Sequence, residues 1–199
     1  MKINYIVFGV LFVGLIFAAA YILPSKNVRD DSDMITTTTQ SMAELFSLTS
    51  SAFEPNGRIP SKYTCDGDKT INPPLEFSGI PEGAKSLVLI MDDPDVPKML
   101  RPDGVFDHWV VFNIPPDAKG IAENETVGTA GANGAGARAY TGPCPPPQYE
   151  PSEHRYVFKL YALSAMLNLE TGAAKKEVLD ALAPVKIAEA ELIGRYSRK

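Results

Sequence analysis

The chain has 199 residues, a formal net charge of −5 at pH 7, two histidines, two cysteines and one tryptophan. No lysine or arginine cluster exceeds the last few residues, which argues against nucleic acid as the main partner. After its N-terminal segment, the chain is long enough for one domain with a full hydrophobic core.

The first 23 residues predict a membrane segment. Ile3 to Leu23 is almost wholly apolar, and about 20 such residues span a bilayer. The alternative is a cleaved signal peptide, with Ala18–Ala20 as its small-residue cleavage site. Residues 24–43 are polar and predict a flexible linker. We therefore expect a domain at residues 44–199 that is anchored on the extracytoplasmic side of a membrane, or secreted if the segment is cleaved.

The remaining chain is mainly β by its pattern. Short apolar segments separated by Gly, Pro and Asn are typical of an antiparallel β-sandwich. The strongest predicted strands are Ser86–Ile90, Phe106–Ile114 and His154–Leu163. Towards the C-terminus, helical periodicity and end signals predict two peripheral helices, Thr171–Leu182 and Val185–Ile193.

An acidic, proline-rich stretch, Met91–Pro97, follows the first of these strands. Its prolines end strand pairing and keep the preceding residues extended. In extended chain the carboxylates of Asp93 and Asp95, two residues apart, point to the same side and predict a polar site. The alternative is a proline-rich turn with solvated acids.

Both histidines stand at the entrance of an aromatic-rich strand. A lone histidine there is more often a surface or hydrogen-bonded core residue. His108, however, comes a short loop after the two aspartates, and His154 shares its strand face with Tyr156. This repeated placement favours a common site. Gly142 and Pro143 belong to a rigid segment that is poor in donors and lets backbone approach a ligand closely.

Cys65 and Cys144 both lie in turn segments. Outside the reducing cytosol, two cysteines favour a disulfide. Two buried free thiols are the alternative.

From about Phe46 to Tyr196, the chain resembles the phosphatidylethanolamine-binding protein family, in its prokaryotic Raf-kinase-inhibitor-like branch. The segments that carry the resemblance are Tyr63–Gly67, Asn72–Leu75, Asp93–Pro97, His108–Val110, Gly142–Pro146, His154–Tyr156 and Ala188–Tyr196. Each motif alone is weak, but the ordered series is specific. Small residues in Gly131–Gly136 and the pair Pro184–Val185 depart from the family pattern.

The resemblance implies a β-sandwich with Greek-key character, peripheral helices and a small pocket at one end. That pocket accepts phosphate-type anions and phospholipid headgroups. Carried over by motif, the ligand-binding residues are Asp93, Asp95, Pro97, His108, Gly142, Pro143, His154 and Tyr156. The resemblance also makes the Val96–Pro97 peptide bond a candidate for the cis form.

The expected function is therefore a membrane-tethered binding module for a phosphate-type anion or a headgroup such as phosphoethanolamine. Histidine and tyrosine donors suit the anion, and the aspartates orient the imidazoles or accept from an ammonium group. The family offers a second possibility, an inhibitor of a serine protease or kinase that acts through surface loops. In a third, an enzyme, the histidines and aspartates hold a divalent metal. The common hydrolase, zinc-protease and phosphate-loop motifs do not occur, so we expect no catalytic residues, cofactor or metal.

Overall fold

The computed structural model describes residues 45–198. The predicted membrane segment at residues 1–23 and the linker at 24–43 lie outside the described residues, and those predictions stay open. Within the described range, no helix is both long and apolar enough to cross a membrane.

The described residues are mainly β, as predicted. The strands are β1 (Ser47–Thr49), β2 (Leu75–Ser78), β3 (Ser86–Asp93), β4 (Phe106–Ile114), β5 (Gly120–Ile121), β6 (Thr129–Ala130), β7 (Glu153–Leu163) and β8 (Lys186–Ser197). One α-helix, α1 (Lys175–Leu182), lies between β7 and β8.

The strands form two antiparallel sheets. The smaller sheet has the order β1-β2-β5 and the larger has the order β6-β4-β3-β7-β8. The antiparallel prediction is confirmed, while the Greek-key sandwich arrangement stays a prediction.

The central strand β3 is buried on both faces, which explains its unbroken apolar run. Leu87, Leu89 and Met91 enter a cluster that also contains side chains of the smaller sheet. Val88 and Ile90 point the other way, into a second cluster that includes α1. The strand therefore lies between the two apolar clusters, and its last residue is Asp93.

The second predicted helix is wrong, because Lys186–Ser197 forms β8. The strand pairs with β7 along its full length, from Lys186 opposite Leu163 to Ser197 opposite Glu153. Alanine and glutamate favour a helix locally, but period-two burial against β7 overrides that preference.

The first predicted helix is confirmed in part. It begins at Lys175 rather than near Thr171, and its N-terminal amide at Ala174 donates to the Glu177 carboxylate at 2.7 Å. The Glu177 side chain therefore caps a backbone amide at the start of the helix, which is the role predicted for Thr171. Its end at Leu182 is as predicted.

The Val96–Pro97 bond is trans, contrary to expectation. Glu150–Pro151 is the cis bond found among the described residues. The cis form is a minority state for any X–Pro bond unless the surroundings select it.

Candidate functional site

Three neighbouring strands bring together one carboxylate and both histidines. Asp93 is the last residue of β3, His108 lies in β4 and His154 lies near the start of β7. Because β3 runs between β4 and β7, the three side chains meet at one end of the larger sheet. All three are buried.

A bulge in β4 directs His108 into this group. Trp109 pairs with Met91 and Asp107 pairs with Asp92, so His108 is an extra residue between two consecutive partners. The extra residue lets His108 share a sheet face with Trp109 instead of alternating with it. Sequence reasoning placed His108 beside the aspartate but found no signal for the bulge.

The hydrogen bonds of the two imidazoles differ. His154 Nδ1 lies 2.7 Å from Asp93 Oδ2, and His108 Nδ1 donates to the Thr141 carbonyl at 2.5 Å. The other ring nitrogen of His108, Nε2, lies 4.0 Å from Asp93 Oδ2. Burial lowers the pKa of His108, because removal from water disfavours the charged ring. At neutral pH His108 therefore presents an acceptor nitrogen.

Two buried polar atoms in this group have no hydrogen-bond partner among the described residues, His154 Nε2 and the Tyr156 hydroxyl. The Tyr156 ring packs edge-on against His108, with centroids 5.2 Å apart. Burial raises the pKa of Tyr156 and the nearby Asp93 carboxylate adds to the effect, so its hydroxyl stays protonated. Both atoms are exceptions to the rule that buried polar groups are paired.

A cavity of about 200 Å³ adjoins this cluster. Its walls are formed by Asp93, Val96, Phe106, His108, Thr141, Gly142, Cys144, Pro145, Pro146 and His154. A more open cleft of about 590 Å³ lies elsewhere, but its charged residues, Asp117 and Lys119, are exposed. The smaller cavity is the better candidate because its polar groups are buried and incompletely bonded.

One cavity wall is the segment that begins at Gly142. The Gly142 amide donates to the Lys69 carbonyl at 2.7 Å, and the Cys65 amide donates to the Pro143 carbonyl at 3.0 Å. A Cβ at Gly142 would stand only 2.3 Å from the Tyr63 carbonyl oxygen, so a side chain there would force the wall outwards.

The predicted disulfide between Cys65 and Cys144 is confirmed. It joins the turn after Tyr63 to the proline-rich wall, across a sequence separation of 79 residues. The bridge therefore holds one side of the cavity against the body of the domain.

Asp95 does not share the cavity with Asp93, contrary to the expectation for extended chain. The Asp95 amide donates to Asp93 Oδ1 at 2.9 Å, which turns the chain immediately after β3. The Asp95 carboxylate instead binds the guanidinium of Arg155, with contacts of 2.7 and 2.9 Å. Hydrogen bonds from Arg155 lower the pKa of Asp95 and keep it ionised.

The cavity brings together only part of the predicted residue set. Asp93, His108, Gly142 and His154 line it, whereas Asp95, Pro97, Pro143 and Tyr156 do not. The cavity is also lined by Val96, Phe106 and Thr141, which were not predicted. Val96 and Thr141 lie on loops whose paths no local pattern encodes, and Phe106 reaches the cavity through its pairing opposite Asp93. Within residues 45–198, no three His, Cys, Asp or Glu side chains are grouped so as to hold a metal ion.

Comparisons with known proteins agree with this architecture. The sequence profile of the phosphatidylethanolamine-binding protein family matches residues 49–197. A UPF0098 protein of Methanothermobacter thermautotrophicus is 48% identical over 158 residues, covering 76% of this chain and 98% of the relative. A UPF0098 protein of Chlamydia trachomatis is 45% identical over 152 residues, with the same coverage of both chains.

Two crystal structures are also similar. A homologue of phosphatidylethanolamine-binding protein from Chlamydia trachomatis has 44% identity and a TM-score of 0.73, covering 77% of this chain and 98% of that one. Escherichia coli YbcL, described as a member of the mammalian family, has 28% identity and a TM-score of 0.68, covering 77% and 99%. The chain therefore belongs to the phosphatidylethanolamine-binding protein family.

Proposed function

We propose that this protein binds a phosphate-bearing small molecule or phospholipid headgroup, such as phosphoethanolamine, in the cavity lined by Asp93, His108 and His154. The observation that carries the proposal is His154 Nε2, a buried and unpaired nitrogen on a residue of the cavity wall. Leaving such a group unpaired costs roughly 1–3 kcal/mol, which a hydrogen-bonding ligand can recover.

The size of the cavity supports a small ligand. Its volume of about 200 Å³ is below the roughly 300–1,000 Å³ that is usual for pockets of drug-sized ligands. A headgroup or a phosphate monoester is therefore a better match than a larger metabolite.

The polar groups suit a ligand that carries both donors and acceptors. Asp93 accepts from His154 Nδ1, so the other nitrogen of His154 accepts from a ligand when the ring is neutral and donates to a phosphate oxygen when it is protonated. His108 adds an acceptor, because its Nδ1 is already used on Thr141. A phosphate with an ammonium group or a retained proton offers both kinds of partner.

The proposal includes the N-terminal tether that the sequence predicts. An apolar segment at residues 1–23 followed by a linker at 24–43 would hold this domain close to a membrane on its extracytoplasmic side. The disulfide between Cys65 and Cys144 is consistent with an oxidising compartment.

The test uses residues 44–199, because the matched part of this chain corresponds to 98% of a crystallised homologous chain and so folds as a unit. Phosphoethanolamine and inorganic phosphate are titrated by calorimetry. We expect saturable binding that His154→Gln weakens roughly tenfold or more, since a charge-assisted hydrogen bond is worth about 1.5–3 kcal/mol. Lys159→Gln, on the opposite face of the same strand, is the matched control and should bind normally.

Asp93→Asn tests how the carboxylate acts. If Asp93 orients His154 through its Nδ1, the variant should bind phosphoethanolamine more weakly, because an amide replaces the carboxylate that holds the imidazole. Unchanged affinity in both His154→Gln and Asp93→Asn, in samples with wild-type melting temperatures, would refute the proposed site.

A further inference from the structure

The loop between β3 and β4 carries an exposed apolar pair. Met99 is 78% exposed and Leu100 is 49% exposed. Lys98 and Arg101 flank the pair, and Pro97 and Pro102 flank these cations in turn. We call residues 97–102 the rim loop.

The rim loop lies next to the cavity wall. Val96 and Phe106, which bracket it in sequence, both line the cavity. The Arg101 guanidinium lies 5.2 Å from the centre of the Phe106 ring and donates to the Gly134 carbonyl at 3.4 Å. The exposed apolar pair therefore belongs to a loop that packs on the wall of the cavity.

The backbone of the rim loop is closed on itself. The amides of Leu100 and Arg101 both donate to the Pro97 carbonyl, at 2.8 and 3.1 Å. The Gly104 amide donates to the Arg101 carbonyl at 2.9 Å. Because Pro97 and Pro102 carry no amide N–H and two further amides are bonded within the turn, the loop gives up fewer hydrogen bonds to water when it enters a headgroup layer.

The charges beside the pair suit an anionic surface. Lys98 forms no ion pair within the part of the chain that the structure describes. Arg101 lies 3.6 Å from Asp103, which offsets part of its charge. Long basic side chains can reach phosphate groups while neighbouring apolar side chains enter the acyl boundary.

We infer that the rim loop docks the cavity mouth onto a bilayer that contains anionic phospholipid, with Met99 and Leu100 inserted and Lys98 and Arg101 at the phosphates. The inference rests on the proposed function, and it names the source of the ligand. The headgroup comes from a lipid that is still in its membrane, because docking places the cavity against the headgroup layer.

The first test measures co-sedimentation of residues 44–199 with vesicles of phosphatidylethanolamine and phosphatidylglycerol. We expect binding that Met99→Ser combined with Leu100→Ser weakens about tenfold or more, because two apolar side chains no longer insert. Met166→Ser is the matched control, since Met166 is 65% exposed at a separate loop after β7. Lys98→Gln should reduce binding and its sensitivity to salt.

A second measurement detects insertion directly. The single native tryptophan, Trp109, is buried in the core, so its emission does not report on the loop. Leu100→Trp should give emission that shifts to shorter wavelength when these vesicles are added. The absence of a shift in a folded sample would overturn the docking.

The two proposals fail separately. The double serine variant should still bind free phosphoethanolamine as the wild type does. If it also binds vesicles as the wild type does, docking by the rim loop is refuted whatever the cavity binds. If the wild type does not bind free phosphoethanolamine but binds vesicles more tightly than the double serine variant, the proposed cavity ligand is refuted and the docking stands. If the wild type does not bind the vesicles, the inference is overturned and the loop is a contact for another partner.

Discussion

The two oxygens of Asp93 have separate partners. Oδ2 accepts from His154 Nδ1 at 2.7 Å, and Oδ1 accepts from the Asp95 amide at 2.9 Å. The same side chain thus orients an imidazole of the cavity and turns the chain away from it. This explains why the residue at the end of β3 is a short carboxylate, which can bond its own backbone two residues on.

His108 should make the domain less stable in mild acid. Burial lowers the pKa of His108 in the folded state, while in the unfolded chain it is about 6.5. As pH falls through the unfolded value towards the folded one, the unfolded state takes up the proton first, so the free energy of unfolding decreases.

The measurement is urea unfolding of residues 44–199 at about pH 7.5 and about pH 5.5, on either side of the ordinary histidine pKa. His108→Asn removes the titration and should lose less stability between these two conditions than the wild type. An equal loss in both proteins would show that other groups cause the acid sensitivity.

The bulged strand β4 and the helix α1 are connected behind the cavity. Asp92 and Asp107 lie opposite each other on β3 and β4, and the Lys175 ammonium at the start of α1 contacts both, at 2.9 and 2.5 Å. Burial raises the pKa of Asp92, while Lys175 opposes that rise. Asp92 and Asp107 therefore face the helix, whereas their neighbours Asp93 and His108 face the cavity.

Lys175→Met should destabilise the domain by roughly 1–2 kcal/mol, because two partly buried carboxylates lose their cation while the apolar stem is kept. Lys176→Met is the matched control. The ion pair between Lys176 and Asp180 is exposed, so Lys176→Met should change the free energy of unfolding by no more than about 0.5 kcal/mol. Equal effects of the two substitutions on the urea midpoint would contradict a structural role for the cluster of Lys175, Asp92 and Asp107.

The strand β8 shows how pairing overrides local preference. Ala188, Ala190 and Leu192 alternate inward while Glu189 and Glu191 stay exposed. The alanines and glutamates favour a helix in isolation. In the domain, pairing with β7 supplies backbone partners along the whole strand, and every second residue from Ala188 to Tyr196 is partly or fully buried.

For the domain as a whole, the disulfide is a long-range restraint. It joins residues 79 apart in sequence, and Cys144 itself lines the cavity. In the chain-entropy view, such a cross-link restricts the unfolded ensemble far more than the folded one.

Replacing both Cys65 and Cys144 with serine should lower the free energy of unfolding by about 4 kcal/mol in the chain-entropy model. The calorimetric affinity for phosphoethanolamine should fall as well, because one cavity wall loses its anchor. Wild-type protein treated with reductant should reproduce both effects. A double variant with wild-type stability and affinity would show that the backbone bonds of the wall suffice.

The sequence was enough to predict the mainly β class, the core strands β3, β4 and β7, the disulfide and the proximity of Asp93, His108 and His154. The class and the strands depend on local composition, because a strand buried on both faces is an apolar run and its end is marked by proline and acid. The disulfide was predicted because the chain has only two cysteines. The proximity of Asp93, His108 and His154 was predicted from their places at strand ends and from the family resemblance. The strand β8, the bulge at His108, the outward turn of Asp95 and the cavity wall at Thr141 depend on partners far away in sequence. Pairing register and loop paths are determined by those distant contacts, so only the folded domain could reveal them.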